Sequence, residues 1–428
     1  MANTGYSILE TFVGAGGSHL GFMMENYRTV YVNDFVDECL ETLKYNNENL
    51  IEEGAIFDDT PIEKLNPVTI RQKTNMDVGE LDVMFGGVVC KGFSLAGDRS
   101  PNDPRNTLYR SQLDLVKEFM PKISIVENVP GIINAKILSN DVPLEIKKDV
   151  DELWGKLARY KGEKANLRKQ NRLTEDFENL GNSLKKQKKH LLQKLEKSGY
   201  LISVLEDLKR IYSTIGYRVQ HKVLNSAWYG AATKRERVII VATRNDIDIK
   251  FHYPQPQYMD SKIMKKGMEK YIGLPNPRTV NDALNTIDYE GMNSEENDAD
   301  NIPMKHKDKT VRRFRFIPEG DSIANHINEL PDDLKISKFY SRGSTMRLAG
   351  NEPSPTLVPG HSNFPVHPRK DRSITVREAA TITGFPLNYK FFGSHSKRCE
   401  HVGNAVPPAL AQAIAKECTI FLDKYYKK

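Results

Sequence analysis

From residue 6 onward, short apolar runs alternate with stretches of helical spacing. Tyr6-Ser7-Ile8-Leu9-Glu10 reads as a buried strand, and a glycine turn follows it. Residues 18–27 predict a helix, 29–32 a second strand and 36–47 a second helix. Further strands are expected over 81–85, 122–126, 217–224 and 237–242, with a helix over 107–119. Strands alternating with helices predict an α/β fold: a parallel sheet covered by helices on both faces.

Two regions break this rhythm. In residues 145–197, Leu153, Leu157, Tyr160, Lys164 and Leu167 are followed by Phe177, Leu180, Leu184, Leu191 and Leu195. Spacings of three, four and seven on either side of a break near 170–174 predict two amphipathic helices paired as an antiparallel hairpin, an insertion over about 140–199. Residues 246–370 lose helical periodicity and gain Pro, Asn, Asp and His, which suggests a smaller loop-rich second domain. Residues 1–245 then form the main domain, and the helix-rich segment 371–428 returns to it.

Composition narrows this picture. A chain of 428 residues, 39% hydrophobic and 28% charged, can bury the cores of two domains. No run approaches the ~18 apolar residues of a membrane span. Cys39, Cys90, Cys399 and Cys418 lie far apart, which argues against a disulfide framework or a zinc site and for a reducing cytoplasm. The net charge of +6 sits in one place. Residues 145–197 hold 15 Lys/Arg against 9 Asp/Glu, leaving 47 of each sign elsewhere. The core therefore shows no basic bias of its own.

Candidate chemistry centres on Cys90, in Phe85-Gly86-Gly87-Val88-Val89-Cys90-Lys91-Gly92-Phe93-Ser94. A thiol at the tip of a glycine-rich turn lets a substrate approach closely, as a nucleophile requires. A small hydrophobe ending a strand is the structural alternative. In Glu10-Thr11-Phe12-Val13-Gly14-Ala15-Gly16-Gly17, a glycine turn links a strand to a helix and can bring backbone N–H groups to a ligand. Asp34 closes the second strand, where an acid can bind a ribose diol in nicotinamide, flavin or S-adenosylmethionine enzymes alike.

Taken in order, the segments resemble the cytosine-C5 DNA methyltransferase family of bacterial and phage type. The resemblance rests on residues 12–17, on Cys90 in its glycine-flanked motif and on Asp103-Pro104-Arg105-Asn106-Thr107-Leu108-Tyr109. It continues through Glu127-Asn128-Val129-Pro130-Gly131, Thr233-Lys234-Arg235-Glu236-Arg237, residues 372–386 and Val402-Gly403-Asn404-Ala405-Val406-Pro407. It implies a Rossmann-like, S-adenosylmethionine-dependent methyltransferase fold. Cys90 would attack C6 of a cytosine flipped out of double-stranded DNA. Glu127 would hold N3 and N4, and Arg237 would hold O2. Arg235 would contact phosphate or position the catalytic loop. Phe12, Gly14, Gly16, Gly17, Asp34, Phe35, Asp58, Leu108 and Asn404 would hold the S-adenosyl-L-methionine donor, with Asp59 as a neighbour of Asp58 in register. The resemblance further implies a monomer at the nucleoid, acting alone or with a cognate restriction endonuclease. Its second domain would read sequence from the major groove.

Departures from the family pattern are specific. Val88, Val89 and Lys91 stand where Pro, Pro and Gln are usual, and Lys91 places a cation beside the thiol. Thr233 and His401 stand where Gln is common, and Ala405 where Ser is. Two other readings share the fold: a tRNA cytosine-C5 methyltransferase, and a weakly active DNA-binding relative.

Overall fold

The apolar runs become the strands of one seven-stranded sheet in the computed structural model, which describes residues 5–88, 100–170, 172–289, 298–336, 345–360 and 364–427. In chain order the main body runs β1 (Ser7–Thr11), α1 (Gly17–Met23), β2 (Arg28–Asn33), α2 (Asp37–Asn46), α3 (Asn49–Glu52) and β3 (Ile56–Asp58). It continues through α4 (Pro67–Lys73), β4 (Val83–Gly87), α5 (Leu108–Phe119) and β5 (Ile123–Asn128). A short β6 (Lys136–Leu138) leads into the paired helices α6 (Leu144–Lys169) and α7 (Glu175–Lys197). Then come β7 (Leu201–Ser203), α8 (Val204–Thr214), β8 (Tyr217–Asn225) and β9 (Glu236–Arg244).

The strand order is β3-β2-β1-β4-β5-β9-β8. The first five strands pair in parallel. The last two depart from the all-parallel expectation: β9 is antiparallel to β5, and β8 to β9. The cause is the connection over residues 226–235, which is shorter than the dozen or so residues that a parallel crossover takes. Successive residues of a strand feed opposite cores. Ile8, Val83 and Ile123 face one core with Phe22, Leu410 and Ile414. Leu9, Met84 and Val126 face the other with Leu113, Val116 and Leu208.

After β9 the chain forms α9 (Val280–Leu284), α10 (Asp308–Phe314), α11 (Val376–Thr383), α12 (His395–Asn404) and α13 (Pro408–Tyr426). Helix α13 packs along α1, with Gly21 against Ala411 and Pro408. The second domain is smaller than the 246–370 expected. Ile247, Phe251, Met259 and Ile263 belong to the first core of the main body. Helix α9 packs with Ile374, Val376 and Val402. Among the described residues of this region, a core of its own appears only around α10, built from Phe314, Ile317, Ile323, Leu330, Leu334 and Val366. Loop-rich composition misled here because isolated apolar residues without a period can still be buried one at a time. No helix among the described residues is long and apolar enough to cross a membrane.

Candidate active site

Backbone conformation at the end of β1 shapes the first half of the site. Phe12, Gly14 and Gly16 all have positive φ, of 53°, 55° and 86°. Glycine adopts this freely, whereas a bulky residue such as Phe12 does so at a cost of about 1–3 kcal/mol, a strain typical of functional turns. A Cβ on Gly17 would lie 2.2 Å from the Val406 carbonyl oxygen. The last sequence motif thus packs directly on the glycine turn, although the two lie almost 400 residues apart.

Asp34, just beyond β2, ties the turn to the sheet. Its Oδ2 accepts the Gly14 N–H at 2.8 Å and its Oδ1 the Val36 N–H at 3.0 Å. Burial pushes the Asp34 carboxyl up, against the pull of these two donors. Each oxygen keeps a second lone pair for a ligand. Phe35 beside it is 60% exposed, an aromatic face open to a flat partner. At the end of β3, Asp58 accepts the Tyr31 hydroxyl at 2.9 Å and the Thr60 N–H at 2.9 Å. Burial pushes its pKa up, but the bonds from Thr60 and Tyr31 outweigh this and hold it below the usual range. Asp58 pairs in register with Asn33, while Asp59 faces solvent. Leu108 opens α5 and packs with Phe12 against the second core. Asn404 closes α12 with an exposed side chain, beside the Ala405 and Val406 contact with Gly17.

The second half lies at the ends of β4 and β5, where Gly87 pairs with Glu127. Glu127 is buried, and its Oε1 lies 2.7 Å from Nε of Arg237 on β9. Burial pushes the Glu127 carboxyl above its ordinary range, and the charges of Arg237 and Arg235 pull against that. The Gly87 position faces Oε2 of Glu127, at 3.5 Å from where a Cβ would stand. Next along β5, Asn128 donates from Nδ2 to the Val88 carbonyl at 3.1 Å. Val88 is the last described residue before Cys90, and Val89, Cys90 and Lys91 lie outside the described residues.

Arg235, expected to contact phosphate or to position the catalytic loop, lies inside the molecule. It is buried, and its guanidinium donates to the carbonyls of Gly403 at 2.8 Å, Asn404 at 3.0 Å and Leu357 at 3.4 Å. These bonds tie β9 to the last sequence motif. Thr233 accompanies it by donating to the Pro355 carbonyl at 3.2 Å. His401 is buried, and burial lowers its pKa to about 4, so the imidazole is neutral at pH 7.

A further cluster escaped sequence reasoning. Beneath the glycine turn, buried Glu10 accepts from Ser18 Oγ at 3.0 Å and meets His19 Nδ1 at 2.7 Å. The signal was present: a carboxylate inside an apolar strand needs partners when buried. Tyr389 adds a bond from its hydroxyl to the Ala15 carbonyl at 2.7 Å.

A mostly parallel sheet with a glycine turn after β1 and acids closing β2 and β3 is the architecture of a nucleotide-binding fold, matching the S-adenosylmethionine-dependent methyltransferase class. Within that class, the family model for C-5 cytosine-specific DNA methylase matches residues 6–152 and 177–419, and the chain belongs to that family. Among curated relatives, the Type II methyltransferase M.NgoFVII of Neisseria gonorrhoeae is 28% identical over 426 residues, covering 98% of this chain and 88% of its own. The Type II methyltransferase M.DdeI of Desulfomicrobium norvegicum is 26% identical, covering 97% and 89%. In fold, the chain is similar to a protein encoded within an E. coli prophage and assigned as a DNA modification methyltransferase. The TM-score is 0.60 at 19% identity, covering 98% of this chain and 99% of that one. The chain is accordingly a DNA cytosine-5-methyltransferase.

Proposed function

We propose that the enzyme methylates C5 of a cytosine flipped out of double-stranded DNA, through a covalent bond between Cys90 and C6. The observation that carries this reading is the buried Glu127–Arg237 pair, set in register beside the strand that leads to Cys90.

Cytosine C5 is a poor nucleophile within an intact ring. Attack of the Cys90 thiolate forms the S–C6 bond, shifts the C5–C6 π pair to C4–C5 and the C4–N3 pair to N3, which takes a proton, and so leaves C5 enamine-like. Glu127, whose burial favours the protonated form, donates to N3 and accepts from the N4 amino group. Arg237 offers N–H groups to O2 and neutralises the charge that develops on the ring. S-adenosyl-L-methionine, when bound, supplies a methyl group activated on a sulfonium. The chain's own residues fit it: positive-φ glycines give close approach, Asp34 has free lone pairs for the ribose hydroxyls, and Phe35 presents an exposed ring for adenine. Asp58 accepts from the adenine amino group, and Leu108 and Asn404 close the pocket. Once C5 carries the methyl group, loss of the C5 proton to a base and departure of the Cys90 thiolate restore the aromatic ring.

The body around α10 reads the DNA sequence from the major groove. The chain works as a monomer in the cytoplasm. The Type II relatives favour pairing with a cognate restriction endonuclease. Transfer of labelled methyl groups to duplex DNA and to tRNA tests the reading. Label on duplex DNA at C5, absent with Cys90→Ser, is expected. Label on tRNA alone would overturn it.

A further inference from the structure

The family match skips residues 153–176, the distal part of the α6–α7 hairpin, and resumes along α7. The hairpin has its own packing, with Val150, Leu153, Trp154, Leu184 and Leu195 buried between the helices. Tyr160 stacks on Phe177 at 4.8 Å, and Gly181 leaves room for the Tyr160 ring. Leu180, expected in the seam, is half exposed. Helices of 26 and 23 residues extend about 39 and 35 Å. That reach spans roughly ten base pairs at ~3.4 Å each.

The root of the hairpin grips the chain just after the Cys90 segment. The Leu138 N–H donates to the Pro101 carbonyl at 3.0 Å. Asn102 Nδ2 donates to both oxygens of Asp151, at 2.9 and 3.0 Å. The hairpin follows β5, which carries Glu127, through a short helical turn and β6.

Its charge is the second observation. The whole net positive charge of the protein resides in residues 145–197, and the remainder is neutral. On α7, Lys185, Lys186, Lys189, Lys194 and Lys197 are all exposed. The only acid between residues 185 and 197 is Glu196, which pairs with Lys136. Lys186, Lys189 and Lys197 follow helical spacing through Gln193, so they form one stripe away from the buried seam. Outside the hairpin the charges balance, so this stripe is part of the one segment with a surplus of cations for a polyanion.

We infer that the exposed lysines of α7 bind the DNA phosphate backbone outside the recognised sequence, making the hairpin a second DNA-contacting arm. This rests on the reading of the chain as a DNA methyltransferase. The arm adds affinity without sequence information, because phosphate contacts position a protein and base contacts specify.

The test compares the full chain with the variant Lys185→Gln, Lys186→Gln, Lys189→Gln, Lys197→Gln. Two duplexes carry a site mapped by bisulfite sequencing: one of 40 base pairs, one trimmed to the site. Binding is measured against salt concentration. On the long duplex the salt slope should fall by about 0.9 for each phosphate that the variant no longer neutralises, a total of about 2 to 4. Affinity there should drop at least tenfold at low salt, on the order of 50 mM. On the trimmed duplex, slope and methylation rate should match the unsubstituted chain. Equal slopes on the long duplex would overturn the inference and leave the lysines as a solvated face or a protein-binding surface. If the unsubstituted chain neither binds nor methylates either duplex, the underlying reading fails, a result distinct from equal slopes.

Discussion

Replacing Arg237 with Met keeps much of the volume but strands the Glu127 carboxylate, which lies buried 2.7 Å from the guanidinium. Removing one partner of a buried pair costs about 3–5 kcal/mol when the other stays charged. Glu127 can escape this by taking a proton. Its pKa already lies above the ordinary range through burial, and Arg237 is the first of the charges opposing that shift. The variant therefore raises it further. A carboxyl whose folded pKa exceeds its unfolded value makes the fold lose stability as pH rises from the unfolded toward the folded value. The loss amounts to about 1.4 kcal/mol per pH unit. Above the ordinary Glu value of about 4.3, Arg237→Met should therefore lose stability more steeply with pH than the parent, up to the about 3–5 kcal/mol that a charged, unpaired Glu127 would cost. Urea unfolding followed by circular dichroism, across pH 5.5–8.5, reads this slope. Adding Glu127→Gln should flatten it and restore most of the stability, a coupling that a double-mutant cycle isolates. If the single variant shows no greater pH dependence than the parent, or if Glu127→Gln does not flatten it, the reasoning about a buried, raised Glu127 is wrong.

Other substitutions probe separate joints of the site. In Gly17→Ala the new Cβ meets the Val406 backbone oxygen at 2.2 Å, so the turn must move. Binding of S-adenosylhomocysteine by calorimetry should weaken at least tenfold, by roughly 1.4 kcal/mol or more. Arg235→Met should weaken the same binding and lower the melting temperature while leaving the salt slope of DNA binding unchanged, because its guanidinium serves the carbonyls of Leu357, Gly403 and Asn404. A salt slope that falls by about one would return Arg235 to the phosphate role. Asn128→Ala frees the Val88 carbonyl, so kcat should drop about tenfold or more with donor affinity unchanged. An equal loss in donor affinity would show that Asn128 shapes the cofactor turn instead.

What the sequence revealed follows from how each feature is encoded. β1, β4 and β5 were legible because both faces are buried and each carries a short apolar run, Ile8-Leu9, Val83-Met84-Phe85 and Ile125-Val126. The glycine turn, Asp34 and Glu127 were legible because they lie at or just beyond the ends of β1, β2 and β5. The reversed direction of β9 was not, since only the short 226–235 connection hints at it. The burial of Phe251, Met259 and Ile263 was hidden for a related reason: irregular segments carry no period to read. Arg235 shows a third kind of blindness. Its partners are backbone carbonyls more than a hundred residues away, and a carbonyl leaves no mark on the identity of its residue. Glu10 was readable as a buried charge, but its partner His19 is named only by the geometry of α1.

The covalent bond between Cys90 and C6 is the central claim, and a substrate that cannot complete the reaction tests it. DNA carrying 5-fluorocytosine at a mapped site has no C5 proton to lose after methyl transfer, so the adduct cannot resolve. With donor present, intact-protein mass spectrometry should show a denaturant-stable one-to-one complex, and peptide mapping should place the nucleotide on Cys90. The Cys90→Ser chain should form no such complex. The account is contradicted if the unsubstituted chain methylates ordinary DNA yet gives no adduct, or if the adduct maps to another residue.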